Sequence, residues 1–405
     1  MISVSEAQHE VLGSIIKVRK KKTSLLDSLG RVLAEDIISY DDIPVYDNSA
    51  MDGYAVRVED VSGADYSYPV RLKLAEEDIP AGKVPSARLE PGCCMSIMTG
   101  APIPEECSGV VMKEYAEIEN GSVLIFRECS EGENIRYRGE DIKSGDTVLK
   151  KGRRIYPADI GVMASIRISE VLVICPPTVG IISTGDELLE TGDELVIGKV
   201  RDSNSYSLAA QVKESGASYI RYGIVKDEKR NLEEKILKAL SECDILLISG
   251  GVSAGDYDYV RDVLADIEAK LIFWRVNQKP GKPLAFLKYK DKFIFGLPGN
   301  PVSVMVCFEM YVRPLMKKMM GFKKLFRDLV LAKAAHDFKH KMGRTDFTRV
   351  IVEKKDGEYF FKSTGMQGSG ILTSMVKANG IAVFTENMGD VDRGGMAEVH
   401  LLKEL

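Results

Sequence analysis

One stretch constrains this chain more than any other. Asp244 is followed by four unbroken apolar residues, Ile245 to Ile248, and then by Ser249, Gly250, Gly251, Val252, Ser253, Ala254, Gly255, Asp256, Tyr257 and Asp258. An apolar run of this length, bounded by polar residues, suits a strand buried on both faces of a parallel sheet. Val260, Val263, Leu264 and Ile267 then repeat at helical spacing. Strand, glycine loop and helix form a layout in which backbone N–H groups face an anion at a helix N-terminus. Glycine permits the close approach and positive φ that such a loop needs. The loop is neither a P-loop, lacking Gly-Lys-Ser/Thr, nor a Gly-x-Gly-x-x-Gly dinucleotide fingerprint. Alone it reads equally well as an ordinary turn, so the rest of the chain decides.

From about residue 170 onward, strands and helices alternate. Strands are expected at 178–183, 219–225, 245–248, 271–276, 283–287 and 293–297. Asp202-Ser203-Asn204 reads as the cap of a helix with Leu208 and Val212 on its inner face and Gly216 at its end. Leu232, Ile236 and Leu240 mark a second helix. This order predicts a largely parallel sheet with right-handed crossovers. The segment closes on Pro298-Gly299-Asn300-Pro301, with Asn300 as N-cap and Pro301 as the first residue of a long apolar helix.

The flanks read differently. Ser3 and Glu6 form a capping box for a helix carrying Ala7, Val11, Leu12, Ile15 and Ile16, which should fade in the basic run Arg19 to Lys22. Extended chain at 33–46 leads into the polar stretch 47–56, where Asp52-Gly53 is either a hairpin turn or a working carboxylate. Short strands punctuated by proline and glycine predict an inserted β module at about 50–145. Within it, the loop 98–104 reads as a proline turn. The stretch 134–141, with Arg136 and Arg138, reads as a surface ion-pair strand. Short strands return after about 325. The expected fold class is multidomain α/β plus β. A central three-layer α/β domain with a largely parallel sheet occupies 169–322. An elongated N-terminal region with the inserted module spans 1–168, and a small C-terminal β-barrel-like domain spans 323–405.

Composition narrows the function. A net charge of −5 over 405 residues provides no dominant cationic field, which argues against a nucleic-acid partner. The seven cysteines form no CxxC pair and no zinc spacing, as expected for reduced thiols in the cytoplasm. The opening residues do not read as a signal peptide and none is expected, and no apolar run approaches the ~18 residues of a membrane span. His336 and His340 are spaced i, i+4 without an HExxH setting and are expected to be solvent-exposed.

Three expected strands end in polar glycine loops, at 183–187, 249–258 and 297–303. Strand C-termini in a parallel sheet share one edge, and ligands bind in the crevice there. These loops bring Asp186, Glu187, Asp256 and Asp258 together, where an anion would be repelled by about 4 kcal/mol per charge at 4 Å and an effective dielectric near 20. Lys279, Lys282 and Arg275 supply compensating charge, and a Mg²⁺ ion with oxygen ligands would supply more.

The motifs in sequence are Asp47-Asn-Ser-Ala-Met-Asp-Gly-Tyr-Ala55, Met98-Thr-Gly-Ala-Pro102, Arg138-Gly-Glu-Asp141, Ser183-Thr-Gly-Asp-Glu187 and Ser249-Gly-Gly-Val-Ser253. Lys279-Pro-Gly-Lys-Pro283, Gly296-Leu-Pro-Gly-Asn-Pro301 and Gly365-Met-Gln-Gly-Ser369 complete the series. Together they resemble the MoeA family of molybdopterin molybdenumtransferases, to which the gephyrin E domain also belongs. The resemblance covers nearly the whole chain. It implies the last step of molybdenum-cofactor synthesis: molybdate, or tungstate, enters adenylylated molybdopterin and AMP is released with Mg²⁺. It also implies a homodimer with a site shared between subunits, and a transient contact with the molybdopterin adenylyltransferase, whose α/β domain is similar. By resemblance, the functional acids fall on Asp52, Glu187, Asp227 and Asp258, with Thr99 as a functional hydroxyl. The basic positions fall on Arg136, Arg275, Lys279 and Arg349, with Ser369 beside them. In the mechanism this implies, Gly250, Gly251 and Ser253 hold the phosphate or AMP. Pro298, Asn300 and Pro301 border them, Glu187 and Asp258 bind the metal, and Lys282 joins Lys279, Arg349 and Ser369 around molybdate. The alternatives are the adenylyltransferase itself and a non-catalytic cofactor-binding scaffold.

Overall fold

The computed structural model describes residues 1–14, 18–226, 228–251 and 259–405. The chain divides into two units, one built from residues 1–21 and 174–405, the other from residues 22–173.

The larger unit centres on a six-stranded sheet in the order Ser218–Val225, Thr178–Thr184, Ile245–Ser249, Lys292–Leu297, Ala285–Tyr289 and Lys270–Trp274. The apolar run identified in the sequence is its buried central strand, and every residue of Ile245–Ser249 is buried. Successive side chains alternate between the two sheet faces. Ile245 and Leu247 enter a core shared with Leu208 and Val212 of helix Asn204–Glu214 and with Ala7 and Val11 of helix Val4–Gly13. Leu246 and Ile248 enter a second core with Leu232, Ile236 and Leu240 of helix Lys229–Glu242 and Val263 of helix Tyr259–Asp266. Helix layers therefore cover both faces, and this accounts for the unbroken apolar run.

The first three strand pairings are parallel and the last two antiparallel. The antiparallel edge was not expected from a simple β-α-β reading. Its cause is local: Tyr289 pairs with Lys292 across a turn far too short for a crossover helix.

At the C-terminus, Gly380–Phe384 pairs with both Met396–Leu401 and Thr345–Lys355, which closes that sheet into a small barrel. The smaller unit contains a six-stranded sheet that includes Gly53–Val56, Cys93–Ile97 and Gly109–Met112. Among the described residues no helix is long and apolar enough to cross a membrane.

Two local expectations are corrected. The Ser3–Glu6 capping box is present, but its helix ends at Gly13, and Lys20–Ser24 is a strand that carries its lysines into solvent. His340 is buried, at 6% exposure, because its ring nitrogens each lie 3.0 Å from a carbonyl oxygen, of Met388 and of Arg344. His336 remains exposed, as expected.

Candidate active site

The three central parallel strands end level with one another. Ser183 pairs with Ser249 and Ser249 with Leu297, so their loops leave the sheet side by side. The first two loops interlock through backbone. Gly250 has φ +95°, and a Cβ there would lie 2.2 Å from the Thr184 carbonyl oxygen, so only glycine fits. The Gly250 N–H donates to the Leu297 carbonyl at 3.2 Å.

These loops enclose a cleft of about 630 Å³, within the range of small-molecule sites. Glu187, Gly250, Gly251, Pro298, Asn300 and Pro301 all line it. Two helices begin at its wall: Asn204–Glu214, and the stretch Pro301–Cys307, which continues through a π-helical turn, Phe308–Val312, into Arg313–Met319. The positive ends of helix dipoles favour an anion, although the Ser205 N–H is taken by Asp202 and the Val302 N–H by the Ser369 carbonyl. Asn300 is the N-cap and Pro301 the first helical residue, as the sequence indicates, although the Asn300 side chain makes no capping bond.

Sequence reading missed a residue that ties these loops together. The Asn204 side-chain N–H₂ donates to Ser249 Oγ at 2.9 Å and to the Gly299 carbonyl at 2.7 Å. The carbonyl fixes which way the amide faces. Its own oxygen is left buried without a partner. Asp202 does the capping, accepting from the Ser205 N–H at 3.0 Å and Oγ at 2.6 Å. The Asp-Ser-Asn cap was visible in sequence, but the position of Asn204 between two distant loops was not.

The cationic loop lies beside this cleft, since Lys282 adjoins Pro283, which lines it. Lys279 and Lys282 are exposed and have no ion-pair partner among the described residues. Arg275 sits over the Trp274 ring at 4.3 Å, which secures its position by a cation–π contact. Arg349 differs from the other cations: it is 1% exposed and has no carboxylate partner among the described residues. Its Nε donates to Ser374 Oγ at 3.1 Å and its Nη2 to the Gly368 carbonyl at 3.1 Å. Burial pushes its pKa down to about 10, so it remains cationic at neutral pH. The loop it supports runs into Ser369, whose carbonyl accepts from the Val302 N–H at 3.1 Å, and Gly370 lines the cleft.

A second cluster forms in the smaller unit. Asp52 Oδ1 accepts from both the N–H and the Oγ1 of Thr99 at 2.8 Å, and Lys113 Nζ lies 3.8 Å from Oδ2. These hydrogen bonds hold the Asp52 carboxyl below its usual pKa range, so it is ionised at neutral pH. Gly53 begins a strand rather than turning a hairpin; a Cβ there would lie 2.0 Å from the Val111 carbonyl oxygen. Ile135–Arg136 pairs with Asn48–Ser49, which places Arg136 opposite Asn48, in the same stretch of chain as Asp52. Arg138 is engaged by Asp42 at 2.7 Å, whereas exposed Arg136 has no ion-pair partner among the described residues. Asp227, Ser253, Asp256 and Asp258 lie outside the described residues, as do Ile15 and Ile16.

The fit to Mg²⁺ rests on one acid. Among the described residues no group of three His, Cys, Asp or Glu side chains is placed to hold a metal ion. A Mg²⁺ that keeps its waters and takes one or two carboxylates plus phosphate oxygens requires less. Glu187 is exposed and lines the cleft, so its carboxylate is the described one that would hold such an ion.

The whole chain has known relatives. Residues 2–166 match a family model described as the MoeA N-terminal region (domain I and II). Residues 180–318 match the probable molybdopterin binding domain, and 331–402 the MoeA C-terminal region (domain IV). A molybdopterin molybdenumtransferase of Nostoc sp. is 38% identical over 392 residues, covering 95% of this chain and 90% of the relative. One from Haemophilus influenzae is 34% identical, covering 97% of each. The crystal structure of a molybdopterin biosynthesis moeA protein from Pyrococcus horikoshii superposes with a TM-score of 0.81 at 32% identity, over 99% of this chain and all of that one.

Proposed function

This chain belongs to the MoeA family, and from that membership we propose that it is a molybdopterin molybdenumtransferase acting in the final step of molybdenum-cofactor synthesis. Its substrates are molybdate and adenylylated molybdopterin, and AMP leaves as the metal enters the dithiolene. The observation that carries this reading is the set of level strand ends whose interlocked loops enclose one cleft.

In this reading the Gly250–Gly251 backbone holds the AMP phosphate beside the positive ends of two helices, with Ser253 assisting. Glu187, together with Asp258, would hold Mg²⁺, which supplies charge neutralisation at the phosphoanhydride. Lys279, Lys282 and Ser369 hold molybdate, a dianion that needs charge-assisted donors, with buried Arg349 adding its charge from beneath the Ser369 loop and Arg275 adding positive charge nearby. Asp52 is ionised at neutral pH, so it acts as an acceptor that orients water or ligand with Thr99, not as a proton donor. Asp227 shares that orienting role. Arg136 offers a free cation to the phosphorylated end of the substrate. The protein works as a cytoplasmic homodimer, and the Asp52–Thr99–Arg136 cluster of one subunit serves the cleft of its partner. The adenylyltransferase makes the substrate and delivers it by transient contact.

The test is incubation of the purified protein with adenylylated molybdopterin, Mg²⁺ and molybdate. AMP and molybdenum-loaded cofactor should appear in equal amounts. Pyrophosphate formed from ATP and molybdopterin would make it an adenylyltransferase instead, and binding without turnover would make it a scaffold.

A further inference from the structure

The loop carrying Lys279 and Lys282 rests on a buried polar network that none of the preceding roles uses. Gln278 is fully buried, between Val276 and Lys279. Its Nε2 donates to the carbonyls of Pro280 at 3.0 Å and Gly281 at 3.3 Å and lies 3.5 Å from Cys307 Sγ. Its Oε1 accepts a short hydrogen bond from the Tyr311 hydroxyl. Every polar atom of the side chain is therefore engaged, and the two carbonyls fix its orientation.

The network joins the loop to the helix that starts at the cleft. Cys307 ends the segment Pro301–Cys307, and Tyr311 lies in the π-helical turn Phe308–Val312 just beyond. Turns of this kind are frequent at functional sites. Gly281, at φ +91°, fits against this network because it lacks a Cβ, which would sit 2.5 Å from Cys307 Sγ and 2.7 Å from Gln278 Nε2. The loop ends are also fastened. The Val276 N–H donates to the Lys282 carbonyl at 3.0 Å, and Gln278–Lys279 pairs with Thr345 and Asp346. An apolar residue at 278 would fill the space but leave the Pro280 and Gly281 carbonyls and the Tyr311 hydroxyl without this partner. A fully satisfied buried network specifies one geometry where apolar packing would tolerate several.

We propose that Gln278 and Tyr311 are positioning residues that set the spacing of Lys279 and Lys282 for a tetrahedral oxyanion. The proposal rests on the reading that these lysines hold molybdate. Neither residue touches the substrate; each acts through the backbone between the two lysines.

Steady-state turnover with molybdate as the varied substrate tests this in Tyr311→Phe, Gln278→Leu, Lys279→Ala and Lys282→Ala, alongside unfolding midpoints. Tyr311→Phe should raise KM for molybdate roughly ten-fold with kcat close to wild type, since a small misplacement of binding groups has effects of that order or more. Gln278→Leu should raise it further. If Tyr311→Phe lowers the unfolding midpoint or kcat without raising KM, the network is ordinary core and the proposal is overturned. If both lysine variants keep the wild-type KM, the molybdate reading of the loop fails first and the proposal fails with it. A lysine effect without a Tyr311 effect overturns the positioning role alone. Should Gln278→Leu not fold, Tyr311→Phe still decides.

Discussion

Mixing two inactive proteins should restore activity. Asp52→Asn and Glu187→Gln homodimers are each expected to lose most turnover, because each lacks one half of every site. If the Asp52 cluster of one subunit serves the Glu187 cleft of the other, a mixed dimer holds one site with both substitutions and one with neither. Random reassortment of equal amounts should then recover about a quarter of wild-type activity, the arithmetic of a two-fold assembly. Recovery near zero would mean that both residues serve one site within a subunit, or that the two are not coupled in catalysis. The measurement is AMP release before and after subunit exchange, with each homodimer as its own control.

Replacing Arg349 by Met should separate activity from stability. A buried cation without a carboxylate partner carries a desolvation cost, and a Met of similar length removes the charge. Because its pKa is lowered on folding, the charge opposes folding at neutral pH, and that penalty fades only above about 10. Against this stand the lost charge-assisted hydrogen bonds to Ser374 and Gly368, each worth about 1.5–3 kcal/mol. Ser374 Oγ keeps its bond to the Ile371 carbonyl at 2.6 Å. These effects oppose one another, so the unfolding midpoint should move by only about 5 °C in either direction. Its charge acts on the oxyanion from beneath the loop and its bond to the Gly368 carbonyl orders that loop, so kcat/KM for molybdate should fall roughly 10-fold, the worth of one charge interaction of about 1.5 kcal/mol. A loss of activity that merely tracks a loss of folded protein would show that Arg349 is a structural residue.

Much of this architecture was legible because its signals are local and periodic. The unbroken run Ile245 to Ile248 predicted a strand covered on both faces, and the two helix layers are why it is apolar throughout. Asn300-Pro301 predicted a helix start, and Ser3 with Glu6 predicted another. The convergence of Glu187, Gly250, Gly251 and Asn300 followed from the rule that parallel strand ends share an edge. What could not be read depends on contacts between distant segments. The hairpin 285–297 gives no periodic sign of its direction. His340 is spaced for a helix face, yet the carbonyls of Met388 and Arg344 hold it buried. That Asp52 accepts two hydrogen bonds from Thr99, a residue distant in sequence, could not be read from its own neighbours. Asn204 was legible only as part of a helix cap and Gln278 not at all, because the carbonyl a side-chain amide will reach has no sequence signature. Their importance lies entirely in which carbonyls they reach.

The most direct test is a crystal structure of the protein soaked with AMP, Mg²⁺ and tungstate, whose heavy metal is unmistakable by anomalous scattering. The account predicts the AMP phosphate against Gly250, Gly251 and the Asn300–Pro301 helix start, and tungsten beside Lys279, Lys282 and the Gly365–Ser369 loop. Nucleotide on another face of the sheet, or tungsten remote from those lysines, would contradict it.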